Sequence, residues 1–353
     1  MSEGGVRSRR SDPGSAAPPD AGPVDARPDV VVVGHGQVAR ALRDGLGALG
    51  VHDGEPTWPD GARRAVLVVP AGEFGPPRAR AEQGVSARDR LVDEARRAGE
   101  EARARGAEHV VVVTSAAVHG AAPGRPVIDD DAPTSAAADG FAADLLAAEE
   151  AVRAALGPVP SAVVRPAVVV GPGIDTILTR HFEAPRLLTV RGGDRTWQLL
   201  HVEDLVGAVR VVLDARLEGE LTAGAVRDGR PDVLDSETVA TVSGLRTVQL
   251  PAVTAFGAAE RLHRVGVLPS PASDLAFVVY PWTVSAARLQ DAGWSPTWSG
   301  AAALEVLLDQ VRGRVGVGGR RFGGRDAAAL GAAGAAVAVL GTAAVWRQAR
   351  ARR

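Results

Sequence analysis

The chain changes character at Asp29-Val30-Val31-Val32-Val33-Gly34-His35-Gly36-Gln37-Val38-Ala39. Four β-branched residues in succession suit a strand buried on both faces, as in a parallel sheet. Two glycines follow, and then Val38, Ala41, Leu42, Leu46 and Leu49 recur at helical spacing. Gly34-His-Gly36-Gln-Val-Ala39 fits the pattern G-x-G-x-x-G/A between a strand and a helix. In that pattern the first glycine allows a tight turn and the second lets backbone approach a pyrophosphate. The small third residue lets helix and strand pack closely. Exposed N–H groups and the helix dipole favour an anion there. A tight turn that holds no ligand would use the same residues, so the surroundings decide its meaning.

Outward from this stretch, apolar runs recur at Ala65–Val69, Val110–Val113 and Ala162–Val164. Between the first two lies a helical stretch from about 86 to 105, with Ser86 and Asp89 as a capping signal and Gly106 as its stop. A second helix is expected over about 142–156, with Leu145, Ala148, Val152 and Leu156 on one face. Strands alternating with helices predict an α/β fold, a Rossmann-like doubly wound parallel sheet. Its first half is short. Only fifteen residues, 50–64, separate the first helix from the strand at Ala65, too few for a strand–helix–strand passage of ~30 residues. At most Val51-His52-Asp53 forms a vestigial strand. Asp53 and Glu55 stand near the spacing of a ribose-binding acid but among Gly, Pro and Trp, so the adenosine half of a dinucleotide site looks incomplete.

Composition narrows the chemistry. The 353 residues carry a net charge of −2, no Cys and one Tyr, and all 40 Lys+Arg residues are Arg. A Schiff-base or P-loop lysine, a cysteine nucleophile, an adjacent Tyr/Lys relay, disulfides and Cys-ligated zinc are therefore excluded. No metal site is expected. The near-neutral balance gives no sign of nucleic acid as a partner.

The expected layout is a polar disordered tail over 1–28, a Rossmann-like domain over 29–173 and a smaller substrate-type subdomain over 174–315, interleaved with the sheet. A linker over 316–326 and an Ala-rich C-terminal helix over 327–353 follow. Residues 327–346 hold twenty uncharged positions, ten of them Ala and three Gly, before an Arg-rich end. That length spans a bilayer, but the insertion drive is weak. A membrane tail and a soluble or surface-lying helix both fit. With no secretory signal and no Cys, the expected location is cytoplasmic, with attachment to the cytoplasmic membrane if the tail inserts.

Four ordered motifs make the chain resemble the NAD-dependent epimerase/dehydratase family, the extended short-chain dehydrogenases/reductases. Val111-Val-Val-Thr-Ser115-Ala-Ala-Val-His119-Gly120, followed by an acidic loop to Pro133, is similar to the family's Thr-Ser-Ser-Ala-x-Val-Tyr-Gly strand end. Arg165-Pro166-Ala-Val-Val-Val-Gly-Pro-Gly173 is similar to its Arg-Pro-x-x-Val-Tyr-Gly-Pro-Gly. His201-Val-Glu-Asp204 resembles its His-Val-Asp-Asp, and Gly293-Trp294-Ser-Pro296 its Gly-Trp-x-Pro.

The resemblance implies NAD or NADP as cofactor, held at Gly34, Gly36, Ala39 and Pro166, and a nucleotide-sugar-like ligand. It also implies a homodimer paired through the helices at 86–105 and 142–156. Family chemistry rests on a Ser or Thr with a Tyr-x-x-x-Lys pair. Ser115 matches the first, but Phe141 and Leu145 occupy the Tyr and Lys positions, and neither can exchange a proton. The glycine turn is one residue shorter than the family's, and Gly84-Val85 matches poorly its catalytic Asn-Val. Ser115 and His119 are the remaining catalytic candidates, each with a structural alternative: a turn cap for Ser115, a hydrogen-bonding role for His119. Asp144 is expected to favour its helix dipole, Asp204 to help cap a helix, Trp294 to pack against the smaller domain and Tyr280 to pack. Three functions follow: a nucleotide- or metabolite-binding pseudoenzyme; a divergent NAD(P)-dependent epimerase, dehydratase or reductase using Ser115 and His119; or a membrane-associated scaffold.

Overall fold

The computed structural model describes residues 27–51, 58, 60–70, 86–135, 138–184, 186–266, 268, 270–312, 315–317 and 320–322. The expectations for most of the N-terminal tail, for Asp53 and Glu55, for Gly84-Val85 and for 327–353 lie outside these residues.

The first half of the chain runs β1 (Arg27–Val33), α1 (Gln37–Leu46), β2 (Ala48–Val51), β3 (Arg64–Val68), α2 (Ala87–Ala104), β4 (His109–Val113), α3 (Phe141–Leu156) and β5 (Ser161–Pro166). Then come β6 (Val168–Val170), β7 (Arg186–Val190), β8 (Thr196–Trp197), β9 (Leu199–His201), α4 (Val202–Ala215) and β10 (Gly219–Ala223). Six parallel strands form the central sheet in the order β10-β5-β4-β3-β1-β2. The valine-rich runs supply strands buried on both faces; in β4, Val110–Val113 are 0–1% exposed.

One face of the sheet carries α1 and α4 through Leu42, Leu46, Leu205 and Val209. The other carries α2 and α3 through Ala95, Ala102, Leu145 and Val152. These two helices approach closely because Gly99 has no side chain: a Cβ there would meet the Val152 carbonyl oxygen at 2.8 Å. Ser86 Oγ accepts from the Asp89 N–H, as its cap position predicts.

The second strand differs in place from the sequence reading. Gly47, at φ 60°, stops α1 by donating its N–H to the Arg43 and Asp44 carbonyls. Leu49 therefore falls in β2 and is 38% exposed, although its spacing continued the helical stripe. The described strand is Ala48–Val51, three residues earlier in its start than expected, and positions 52 and 53 lie outside the described residues. The shortened first half holds: among the described residues the strand that follows β2 is β3, on the far side of β1.

The rest of the chain adds β11 (Val226–Arg227), β12 (Arg230–Pro231), β13 (Leu234–Asp235), α5 (Ser236–Ser243), β14 (Arg246–Leu250), α6 (Ala252–Arg264), α7 (Ala276–Val279), α8 (Ala287–Asp291) and α9 (Gly300–Val311). The strands pair as β6–β9, β7–β14, β8–β13 and β11–β12. The first three pairs surround a second core that includes Phe182, Trp197, Phe277 and Trp282. Among the described residues no helix is long and apolar enough to cross a membrane.

Candidate functional site

The strand order reverses direction between β1 and β3, and in open α/β sheets ligands bind beyond the strand ends at such a switch point. Two hollows meet there, both touching Val68 and Val69 at the end of β3. The first is a narrow slot with a cavity volume of about 40 Å³, walled by Val38, Val113, Thr114, Ser115, Phe141, Pro166 and Trp282 among others. The second is a groove of about 690 Å³ that starts at Gly34 and His35 and continues along α2.

The glycine turn lies between them. Gly34 has φ 140°, and a Cβ on it would come within 2.8 Å of the Val68 carbonyl oxygen, so contact with β3 already requires glycine. Gly36 has φ 94° and is the N-cap of α1, with no side-chain cap and no acidic residue in the first turn. The N–H groups of that turn remain suited to an anion. Ala39 is buried under the turn at 2% exposure.

Ser115 follows β4 and takes the turn-cap role, its Oγ accepting from the Ala117 N–H at 3.2 Å, and it also lines the slot. Pro166 lines the slot from β5. Phe141 opens α3 with its ring on the slot and 4.9 Å from the Phe277 ring. Leu145, one turn later, is 1% exposed within the sheet–helix core beside Val118, Val152 and Val163.

His119 stands apart from these residues. It is fully buried, with Nδ1 3.2 Å from the Pro133 carbonyl oxygen and Nε2 3.4 Å from Arg165 Nη1, and it does not line the slot. Burial pushes its pKa below the usual imidazole value, the Pro133 contact opposes this, and nearby Arg165 and Arg125 add to it.

The structure also shows a network that the motif reading missed. Arg165, 1% exposed on β5, donates to Glu149 Oε1 at 2.6 Å and Oε2 at 3.2 Å, and to Glu220 at 2.8 Å. Thr114 Oγ1 donates to Glu149 Oε2 at 2.9 Å. A fork of this kind satisfies both buried charges and ties α3 to three strands behind the slot. The signal was present: Arg165 lies within an apolar strand run and Glu149 beside an apolar helical stripe, and each requires a partner.

Two expectations change, on α4 and in the segment after α8. Asp204 does not cap α4; His201 does, its Nδ1 accepting from the Glu203 N–H at 3.3 Å. The Asp204 carboxylate instead accepts from the Thr297 and Trp298 N–H groups at 2.7 and 3.1 Å. Trp294 packs into the sheet-side core rather than the smaller one, donating from Nε1 to the Asp204 carbonyl. Tyr280 stacks on Phe256, a packing role as expected. Asp144, in the first turn of α3, lies 3.7 Å from Arg88. Among the described residues no group of three or more His, Asp or Glu is placed to hold a metal ion.

Comparison with known proteins bears out the family resemblance. Residues 63–222 match the NAD dependent epimerase/dehydratase family, a segment that begins at β3, just after the shortened passage. The uncharacterized protein Rv0501 of Mycobacterium tuberculosis is 29% identical over 214 residues, 58% of this chain and 54% of that protein. The chain thus spans about half the length of this relative. The uncharacterized protein Rv2047c of the same organism is 29% identical over 164 residues, 45% of this chain and 17% of that one.

Among solved structures, the human epimerase family protein SDR39U1 with NADPH is 18% identical, with a TM-score of 0.54 over 79% of this chain and 98% of its own. RMD from Pseudomonas aeruginosa complexed with NADPH is 16% identical, with a TM-score of 0.55 over 80% and 98%. A UDP-galactose 4-epimerase is 20% identical, with a TM-score of 0.53 over 80% and 98%. The chain shares their Rossmann-like fold.

Proposed function

We propose that this chain, whose residues 63–222 carry the epimerase/dehydratase signature, binds a nicotinamide dinucleotide but has lost the family's hydride-transfer chemistry. It acts as a nucleotide- or metabolite-binding protein. Gly34 and Gly36 would hold the pyrophosphate at the start of α1, with Ala39 beneath. Pro166 and the apolar slot walls would take the nicotinamide end. Bound there, the dinucleotide would supply a hydride donor or acceptor. The NADPH in two structural neighbours supports this reading.

One observation carries the loss of chemistry: among the described residues no side chain lining the slot is an acid, a base or a phenol. Moving a hydride to or from a hydroxyl-bearing carbon also requires moving its proton. Phe141 stands on the slot where the proton donor would be, and Leu145 is turned into the core. Ser115 is the one retained member of the catalytic set, and an alcohol alone is a poor acid or base near neutral pH. A divergent enzyme would have to rely on Ser115 with His119, whose ring lies outside the slot.

Calorimetric titration with NAD and NADP tests the binding half. Saturable binding at or below millimolar cofactor supports it, and the absence of heat or thermal shift at that concentration refutes it.

A further inference from the structure

We propose that residues 271–282 form a strap that shuts the slot, clipped to the start of α3 by Ser273 and Asp274, and that the nicotinamide end enters only when this clip opens. The proposal rests on the dinucleotide-binding reading and adds a gate to it.

The slot is closed as it stands. Its cavity of about 40 Å³ admits a water or two, whereas ligand pockets run to ~300 Å³ and more. The rings of Phe141 and Trp282 form part of its wall. Phe277 packs on both, its ring 4.9 Å from that of Phe141 and 5.6 Å, edge-on, from that of Trp282. Phe277 and Trp282 are each 3% exposed. Trp282 Nε1 donates to the Phe277 carbonyl oxygen at 3.1 Å, which ties the two aromatic residues of the strap to each other.

The polar contacts decide where the strap gives way. On the side of its own core it is anchored by buried groups: Arg195 Nε donates to the Val278 carbonyl oxygen at 3.1 Å, and Tyr280 stacks on Phe256. Against α3 it is held by two side chains. Asp274 Oδ1 accepts from the Phe141 N–H at 3.0 Å, and Ser273 Oγ donates to Asp139 Oδ1 at 2.7 Å. Gly140 lies under this clip at φ 90°, and a Cβ on it would come within 2.9 Å of Ser273 Oγ. The Ser273–Asp139 bond is exposed, so water competes for it, and contacts of that kind open at lower cost than buried ones. Opening there draws Phe277 away from Phe141 and frees the slot wall on the α3 side.

The test is calorimetry on the full chain with NAD and ADP-ribose as the probes, beside a thermal melt of each variant. ADP-ribose lacks the nicotinamide ring and makes no call on the slot. Ser273→Ala removes one bond of the clip and should tighten NAD about threefold to tenfold, because more of the protein is open before binding. Phe277→Leu thins the plug without touching the clip and should also tighten NAD. The chain has no Cys, so Asp139→Cys with Ser273→Cys adds a single pair that an oxidant can lock. Locking should weaken NAD on the order of tenfold and change ADP-ribose by less than about twofold, with reduction restoring the wild-type value.

If neither probe binds the wild type or any variant, the dinucleotide reading fails, and the gate with it. If both probes bind, and Ser273→Ala and Phe277→Leu take NAD as the wild type does or more weakly, only the gate is overturned, whether or not the cysteine pair cross-links. A locked protein that binds NAD as tightly as the reduced one also overturns it.

Discussion

Phe141 and Leu145 are one helical turn apart on α3, yet they meet different surroundings. Phe141 lines the slot, as does Ser115; Leu145 is packed between sheet and helices. Restoring the two family residues should therefore have unequal effects. Phe141→Tyr should shift stability by no more than about 1 kcal/mol. Leu145→Lys would bury an unpaired ammonium and should cost ~3–5 kcal/mol. Urea unfolding of both variants checks this; a Leu145→Lys protein as stable as the wild type would mean that the side chain has a route out of the core. The substitutions themselves were legible in the sequence, because Glu149 fixed the helix register. What Glu149 does was not, since its partner Arg165 is brought to it by the strand order rather than by spacing.

At the scale of elements, the start of α3 shows how the two cores are joined. Gly140 caps the helix without a side chain, and Asp274, from the segment before α7, supplies the missing acceptor: its Oδ1 receives the Phe141 N–H at 3.0 Å. Burial pushes the Asp274 pKa up to about 6; the Phe141 N–H and a Ser270 hydrogen bond pull it down, and Asp139 and Asp144 push it further up. An acid whose folded pKa is raised binds more protons folded than unfolded between pH ~4 and ~6. Stability contributed by protonated Asp274 is thus lost as pH rises through that window, by up to ~3 kcal/mol.

Asp274→Asn keeps an acceptor and removes the titration. Its stability relative to wild type should rise between pH 4 and 6 and then level off. A difference that stays flat with pH, measured by chemical denaturation, would contradict the linkage. Helix ends with local signals, such as Ser86 and Gly106, could be read in advance. The Asp274 cap lies 133 residues from the N–H it serves, and no local pattern reveals it. The end of α1 was misjudged for a related reason: Leu49 continues the helical period, but the backbone turn at Gly47 takes precedence over periodicity.

Across the whole molecule, the parallel sheet and its short first half followed from valine runs and from counting residues between them. The topology then places the switch point between β1 and β3, and the glycine turn, the slot and the groove all open there. The way the last motif closes on the sheet did not follow from sequence. Asp204 could equally have capped α4, and only the folded chain brings Thr297 and Trp298 to its carboxylate. The proposal that a dinucleotide site persists where proton transfer has been lost meets its most direct test in a single-turnover measurement: protein in stoichiometric excess, loaded with NAD or with NADP and offered UDP-sugars, with reduced nicotinamide followed by absorbance. The expected result is that no reduced nicotinamide accumulates and that labelled hydride is never exchanged between sugar and cofactor. Formation of reduced nicotinamide at a stoichiometry approaching the protein, abolished by Ser115→Ala, would contradict it.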